Sequence, residues 1–189
     1  AQGWEDKTVL LCLRSWEPNY GVDVLARAFA WASKENPRLR LILLGDGSES
    51  AKIRALLRDV EDKVHFGGRV DLSALPGWYG AADLYVSPSH VDGSSVSLLE
   101  AMACGLPSIV SDIPANQEWI QDERNGWVFP DGDAEALAQV ILGAAEQDWR
   151  ANKLQARQDA VLKADWNEGV RKLLACYDDT VAYGKSRKP

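Results

Sequence analysis

From Val9 to Phe129 the chain repeats one pattern, a short and nearly continuous apolar run followed by an amphipathic segment. Val9-Leu-Leu-Cys-Leu13 is such a run, and residues 22–33 (VDVLARAFAWAS) after it carry apolar side chains three and four apart, as one face of a helix does. Leu39-Arg-Leu-Ile-Leu-Leu44 starts the pattern again and stops at Gly45-Asp-Gly47, ahead of a helix over about residues 49–59. Val64-His-Phe66, a helix near 72–81 and Asp83-Leu-Tyr-Val86 come next. Ser108-Ile-Val110, a short helix from Asn116 to Ile120, and Gly126-Trp-Val-Phe129 close the series. A strand that is apolar at every position, rather than at alternate ones, has both faces covered, which is the condition of a parallel sheet between helices. After Phe129 the strands stop, and residues 134–145, 153–163 and 167–181 read as three helices. The expectation is a Rossmann-like α/β fold: a doubly wound parallel sheet of about six strands with a helical C-terminal tail. No linker or repeat divides residues 1–189, so one domain is expected.

The net charge of -7 argues against a nucleic-acid partner or an anionic membrane surface. Three cysteines, Cys12, Cys104 and Cys176, form no CxxC pair; two lie in apolar runs and are expected as buried, reduced thiols. With no leader and no apolar stretch near the roughly 20 residues of a membrane span, a cytoplasmic location is expected. Because the chain opens on Ala1 and its one methionine is Met102, it reads as a piece of a longer protein.

One stretch departs from simple alternation. DGSSVSLLEAMACG, residues 92–105, begins small and polar and turns abruptly into a helix, with Asp92 ahead of the turn and Glu100 beyond it. In open parallel sheets, ligands bind past the carboxyl ends of the strands, where helix N-termini converge. The first amides of a helix have no intrahelical partner and carry the positive end of its dipole. Gly93, Ser94 and Ser95 let a ligand reach them, and a phosphate is the ligand that such a place favours. Glu100, just over a turn along, is positioned to accept hydrogen bonds from sugar hydroxyls, and Asp92 from the other side. The alternative is a plain capped helix, with Ser94 or Ser95 as N-cap and Glu100 as a surface charge.

The wording of this stretch, Asp92-Gly-Ser-Ser-Val-Ser-Leu-Leu-Glu100-Ala-Met-Ala-Cys-Gly-Leu-Pro107, resembles the donor-site signature of retaining GT-B glycosyltransferases, the group 1 family. The likeness continues in order along the chain. Arg14-Ser-Trp-Glu-Pro-Asn-Tyr-Gly-Val-Asp-Val-Leu25, Leu41 to Gly47, Val64 to Val70, Ala81 to Ser89, Asn125 to Asp133 and Ala164-Asp-Trp166 all resemble landmarks of the family's C-terminal domain. The resemblance implies one half of a GT-B fold, binding a nucleotide-diphosphate sugar built on UDP, GDP or ADP. An N-terminal domain, absent from these residues, would bring the acceptor: a glycan, a lipid or a small molecule. Such an enzyme transfers its sugar with retention, needs no metal and no cofactor beyond the donor substrate, and peripheral membrane association of the full-length protein stays open.

Carried over position by position, the resemblance gives Glu100 the ribose hydroxyls. Gly93, Ser94, Ser95, Val96 and Ser97 receive the diphosphate and part of the sugar. Arg14 faces the diphosphate, and Arg69 sits where the main chain approaches the base. Asp92 stands where Glu is more frequent in the family and keeps the charge on a shorter arm. A lysine commonly follows the arginine in the family; Tyr20-Gly21 occupies that stretch here, which leaves either Lys7 or Lys52 as a second cation or reliance on Arg14 and the helix dipole alone.

Asp131-Gly-Asp133 runs straight into Ala134-Glu-Ala-Leu and is expected as a turn and helix N-cap rather than a metal motif. His65 is expected at a core or strand-end position, and His90, close to Asp92, as a loop residue, with contact to the donor sugar or acceptor as the alternative. Trp31, Trp78, Trp127 and Trp166 are expected in the core, with Trp16 lining the cleft. Two rival functions share the architecture: a sugar-nucleotide epimerase-type enzyme and a non-catalytic nucleotide-sugar-binding module. A dehydrogenase is disfavoured because Gly45-Asp-Gly47 lacks the third spaced glycine and follows the second strand.

Overall fold

The computed structural model describes residues 3–186. Its strands are β1 (Thr8–Leu13), β2 (Leu39–Leu44), β3 (Val64–Gly68), β4 (Leu84–Ser87), β5 (Ser108–Ser111) and β6 (Gly126–Phe129). They form one sheet in the order β3-β2-β1-β4-β5-β6, and every pairing is parallel. The helices are α1 (Val22–Glu35), α2 (Ser50–Leu57), α3 (Leu75–Gly80), α4 (Val96–Ala103), α5 (Pro114–Gln117), α6 (Ala134–Ala145), α7 (Arg150–Lys163) and α8 (Trp166–Ser186). Tight 3-10 turns precede or follow several of them, at Pro18–Tyr20, Arg58–Lys63 and Leu72–Ala74. The region expected as one helix near 72–81 is thus a 3-10 turn running into a short α-helix, with proline in the first turn of α3.

Strand residues alternate between two cores, which is why the runs are apolar throughout. Leu10, Cys12, Leu41, Leu43 and Ile109 point to one side and pack with α1 and α6. Val9, Leu11, Ile42, Leu44 and Val110 point to the other, against Leu98 and Met102 of α4 and Ala156 and Ala160 of α7. Each fully buried aliphatic side chain contributes about 1.5–3 kcal/mol, so the sheet is held from both faces.

Several expectations about single residues are corrected. Cys12 is buried, and its thiol is pushed up to about 12 by that burial, but Cys104 at the end of α4 and Cys176 on α8 are exposed. Trp127 is buried and Trp78 partly so, with its ring stacked on His65 at 5.3 Å. Trp31 and Trp166 face outward, Trp31 on the outer side of α1 and Trp166 at the start of α8, which has no buried residue among those described. Trp16 does the opposite of lining a cleft: it is 2% exposed and meets Phe66 edge-on at 6.1 Å. Its loop is folded down by the bond from the Trp16 amide to the Asp46 carbonyl. Leu173, Leu174, Tyr177 and Val181 make an exposed apolar row along α8. Among the described residues no helix is long and apolar enough to cross a membrane.

Candidate functional site

The strand order reverses direction at β1 and β4, and there the sheet opens. Their pairing runs through Leu10 with Leu84 and Leu11 with Tyr85, then ends before β1 does. The crevice beyond receives Arg14 from the end of β1 and the turn into α4 from the end of β4. Such a switch point is where open α/β sheets bind ligands.

Two glycines allow the surrounding loops to close on it. Gly21 holds φ 60, and a Cβ there would stand 2.0 Å from the Pro88 carbonyl oxygen. Gly45 holds φ 112 at the end of β2, with the Arg14 carbonyl oxygen 2.2 Å from its notional Cβ. Neither contact admits a side chain, so both loops lie flush against the crevice.

Ser95 is the N-cap of α4, its hydroxyl accepting from the Leu98 amide at 3.3 Å. The capping interpretation is therefore right about Leu98. It does not exhaust the helix end: the amides of Ser94, Ser95, Val96 and Ser97 have no hydrogen-bond acceptor among the described residues. Leu98, Ala101 and Met102 anchor the helix in the core, and Gly105 ends it at φ 75, its amide bonded to the Met102 carbonyl.

Arg14 is held from several sides. Its Nε and Nη2 donate to the Ser87 hydroxyl at 3.2 and 2.8 Å, and Nη2 also reaches Ser95 Oγ at 2.6 Å and Asp92 Oδ2 at 2.5 Å. The Tyr20 ring lies against the guanidinium, 5.4 Å from its centroid. Burial works against the charge of Arg14, but Tyr85, Asp92 and Cys12 outweigh it and raise its pKa. Asp92 has both oxygens engaged, one by Arg14 and one by the Gly93 amide at 2.8 Å.

Glu100 makes no ion pair among the described residues. Its Oε2 accepts from the Tyr79 hydroxyl at 2.8 Å, which is also 3.2 Å from the Ser97 carbonyl. Tyr85, fully buried, donates to the Ser97 hydroxyl at 2.7 Å. Burial pushes the phenols of Tyr79 and Tyr85 far above their ordinary value, so both remain neutral donors.

Arg14, Arg69, Val96, Ser97 and Glu100 wall one cleft of about 530 Å³, together with Tyr20, Asp46, Val70, Leu72 and Leu75. Asp92, Gly93, Ser94 and Ser95 lie on the loop beside it rather than on its walls. Arg69 is the second cation at the cleft. Lys7 and Lys52 are not: Lys7 pairs with Asp6 at the opposite end of β1, and Lys52 with Asp23 at 3.0 Å and Glu49 at 2.8 Å. His90 is bound away from the cleft walls, Nδ1 to Asp131 at 2.6 Å. Asp133 caps α6 through the Glu135 and Ala136 amides, as a turn and cap should. Among the described residues no three His, Cys, Asp or Glu side chains are grouped to hold a metal ion. Sequence reasoning missed Tyr79, Ser87 and Tyr20, whose roles depend on the order of strands in space.

A parallel sheet in this order, with a bare helix end and a cation at its switch point, is a doubly wound architecture that the GT-B glycosyltransferases share. The chain belongs to the glycosyl transferases group 1 family, whose model matches residues 6–147. It is 29% identical over 181 residues to the phosphatidyl-myo-inositol mannosyltransferase of Mycobacterium leprae, covering 94% of this chain and 48% of that protein. Among solved structures, the sucrose-phosphate synthase of Thermosynechococcus elongatus superposes with a TM-score of 0.85 at 28% identity, over 94% of this chain and 46% of that one. The pneumococcal O-GlcNAc transferase GtfA, solved with UDP and GlcNAc, does so with a TM-score of 0.76 at 26% identity, over 95% and 37% of the two chains. The chain thus spans about half the length of the mannosyltransferase it matches.

Proposed function

We propose that the cleft binds a nucleoside-diphosphate sugar and that this chain is the C-terminal, donor-binding half of a retaining glycosyltransferase. The observation that carries the reading is the convergence of Arg14, the free amides of Val96 and Ser97, and the Glu100 carboxylate on one cleft. An anion and a vicinal diol, side by side, suit that combination. Glu100, its orientation set by Tyr79, accepts from the two ribose hydroxyls; charged acceptors make the stronger bond. The amides at the start of α4 and the guanidinium of Arg14 meet the diphosphate. As the sugar departs, negative charge gathers on that diphosphate, and these donors, fixed beforehand, stabilise it without a metal ion. Asp92, on the loop next to Arg14, is placed to meet the sugar hydroxyls once the donor engages Arg14. Gly93, Ser94 and Ser95 line the approach, and Arg69, on the wall of the same cleft, is the residue assigned to the base.

The relatives support a donor of this class. The Mycobacterium leprae relative is named for mannosyl transfer to phosphatidylinositol, and the pneumococcal one was solved with UDP and GlcNAc. The acceptor, a glycan, a lipid or a small molecule, is assigned to the other half of the protein. A lipid acceptor would bring the whole enzyme to the membrane surface from the cytoplasm. Calorimetry with UDP, GDP and ADP tests the reading. Affinity weaker than about 1 mM for all three, less than about 4 kcal/mol of binding, would sink it.

A further inference from the structure

We propose that Tyr20 is a diphosphate-contacting residue, whose phenol supplies a neutral hydrogen bond where a cation would otherwise be needed beside Arg14. The inference deepens the donor-binding reading and rests on it. Tyr20 walls the same cleft as Arg14, Ser97 and Glu100. Its ring is half-buried against the core on the α1 side and lies over the Arg14 guanidinium at 5.4 Å. Its hydroxyl has no hydrogen-bond partner among the described residues, although the phenols of Tyr79 and Tyr85 nearby are both bonded. A phenol that packs its ring and leaves its O–H unspent at the mouth of a polar cleft is placed to serve a ligand.

Charge balance says which part of the ligand. Arg14 already shares Nη2 among Ser87, Ser95 and Asp92, and Nη1 has no partner among the described residues. One nitrogen of one half-neutralised arginine, with the α4 amides, must hold two phosphates. Arg69 walls the same cleft but has no hydrogen bond or ion pair with the group of Arg14, Ser87, Ser95 and Asp92 among the described residues. Tyr20 adds the missing donor without adding charge, and its ring keeps the guanidinium plane facing the cleft.

The test is calorimetry of the 189-residue chain and two variants with UDP and GDP, and with the matching nucleosides as probes that lack phosphate. Y20F keeps the ring, and its affinity for the diphosphates is expected to fall roughly tenfold, with nucleoside binding unchanged. Y20K is expected to bind the diphosphates more tightly than the natural chain at low salt and to lose that advantage at high salt, since a surface charge is screened and a neutral hydrogen bond is far less so. Equal diphosphate affinity for Y20F and the natural chain overturns the inference alone. An equal loss for nucleosides also overturns it, because the hydroxyl then touches the nucleoside. If the natural chain binds no diphosphate at all, the donor-binding reading falls and this one with it.

Discussion

Asp92 Oδ2 lies 2.5 Å from Nη2 of Arg14, and both side chains are largely withdrawn from solvent, at 16% and 9% exposure. A carboxylate therefore holds part of the guanidinium that a diphosphate would claim. Binding a donor means setting two anions against one cation, and Asp92 must yield some of its contact.

The change D92N removes that competitor while keeping shape. UDP or GDP affinity is expected to rise by about 1 kcal/mol, roughly fivefold, while sugar transfer by the full-length enzyme falls. Calorimetry and a transfer assay run together check both halves; tighter transfer kinetics in the variant would contradict the role given to Asp92.

Glu100 is expected to matter more than its neighbours for nucleotide binding. E100Q replaces a charged acceptor by a neutral one and is expected to weaken UDP or GDP by about 1.5–3 kcal/mol. Y79F, which removes the hydroxyl that orients Glu100 and also stands near the Ser97 carbonyl, is expected to lose about 1 kcal/mol. The ranking of the two, read by titration, is the check.

The glycine at position 21 carries a backbone requirement. G21A forces a side chain into φ 60 and onto the Pro88 carbonyl. Strain of about 1–3 kcal/mol lowers the melting temperature by about 2–10 °C. The loop holding Asp92 shifts with Pro88, so nucleotide affinity drops as well.

Acid stability should depend on Asp23. Burial acts to raise its pKa, but the hydrogen bond and charge of Lys52, with Arg27, outweigh it and bring the value below the ordinary 3.8. A depressed carboxylate stabilises the fold fully above the unfolded value and progressively less as pH falls through the folded one. D23N is therefore expected to lower the urea midpoint at neutral pH and to converge with the natural chain as the pH falls towards about 2. Parallel curves across the range would contradict the assignment.

Much of this architecture was legible before any coordinates. The apolar runs place all six strands, because a buried parallel strand has no polar alternate positions to confuse the pattern. The turn from Asp92 to Glu100 marks the helix end at the switch point. Trp16 was misjudged because an indole between polar neighbours gives no sign of which way its loop will fold, and Trp166 because its aromatic side chain gives no sign that the start of α8 lies open to solvent. Tyr79 escaped notice because it lies 21 positions from Glu100 and reaches it only through tertiary packing. Ser87 was invisible likewise, and Tyr20 stood out only as occupying the stretch of the family's lysine, since a serine ending a strand and a tyrosine in a tight turn are ordinary until Arg14 stands between them.

The middle of the sheet is made from the first of its six strands in sequence order. β1 emerges first, yet one flank waits for β2 and the other for β4, and the bond from the Val9 amide to the Asp83 carboxylate spans 74 positions. Loops that long must be closed before they return any contact, so refolding from denaturant should be slow and governed by the arrival of β4. During synthesis, the half-made sheet has an open edge along β1 until the segment that also builds the crevice has left the ribosome.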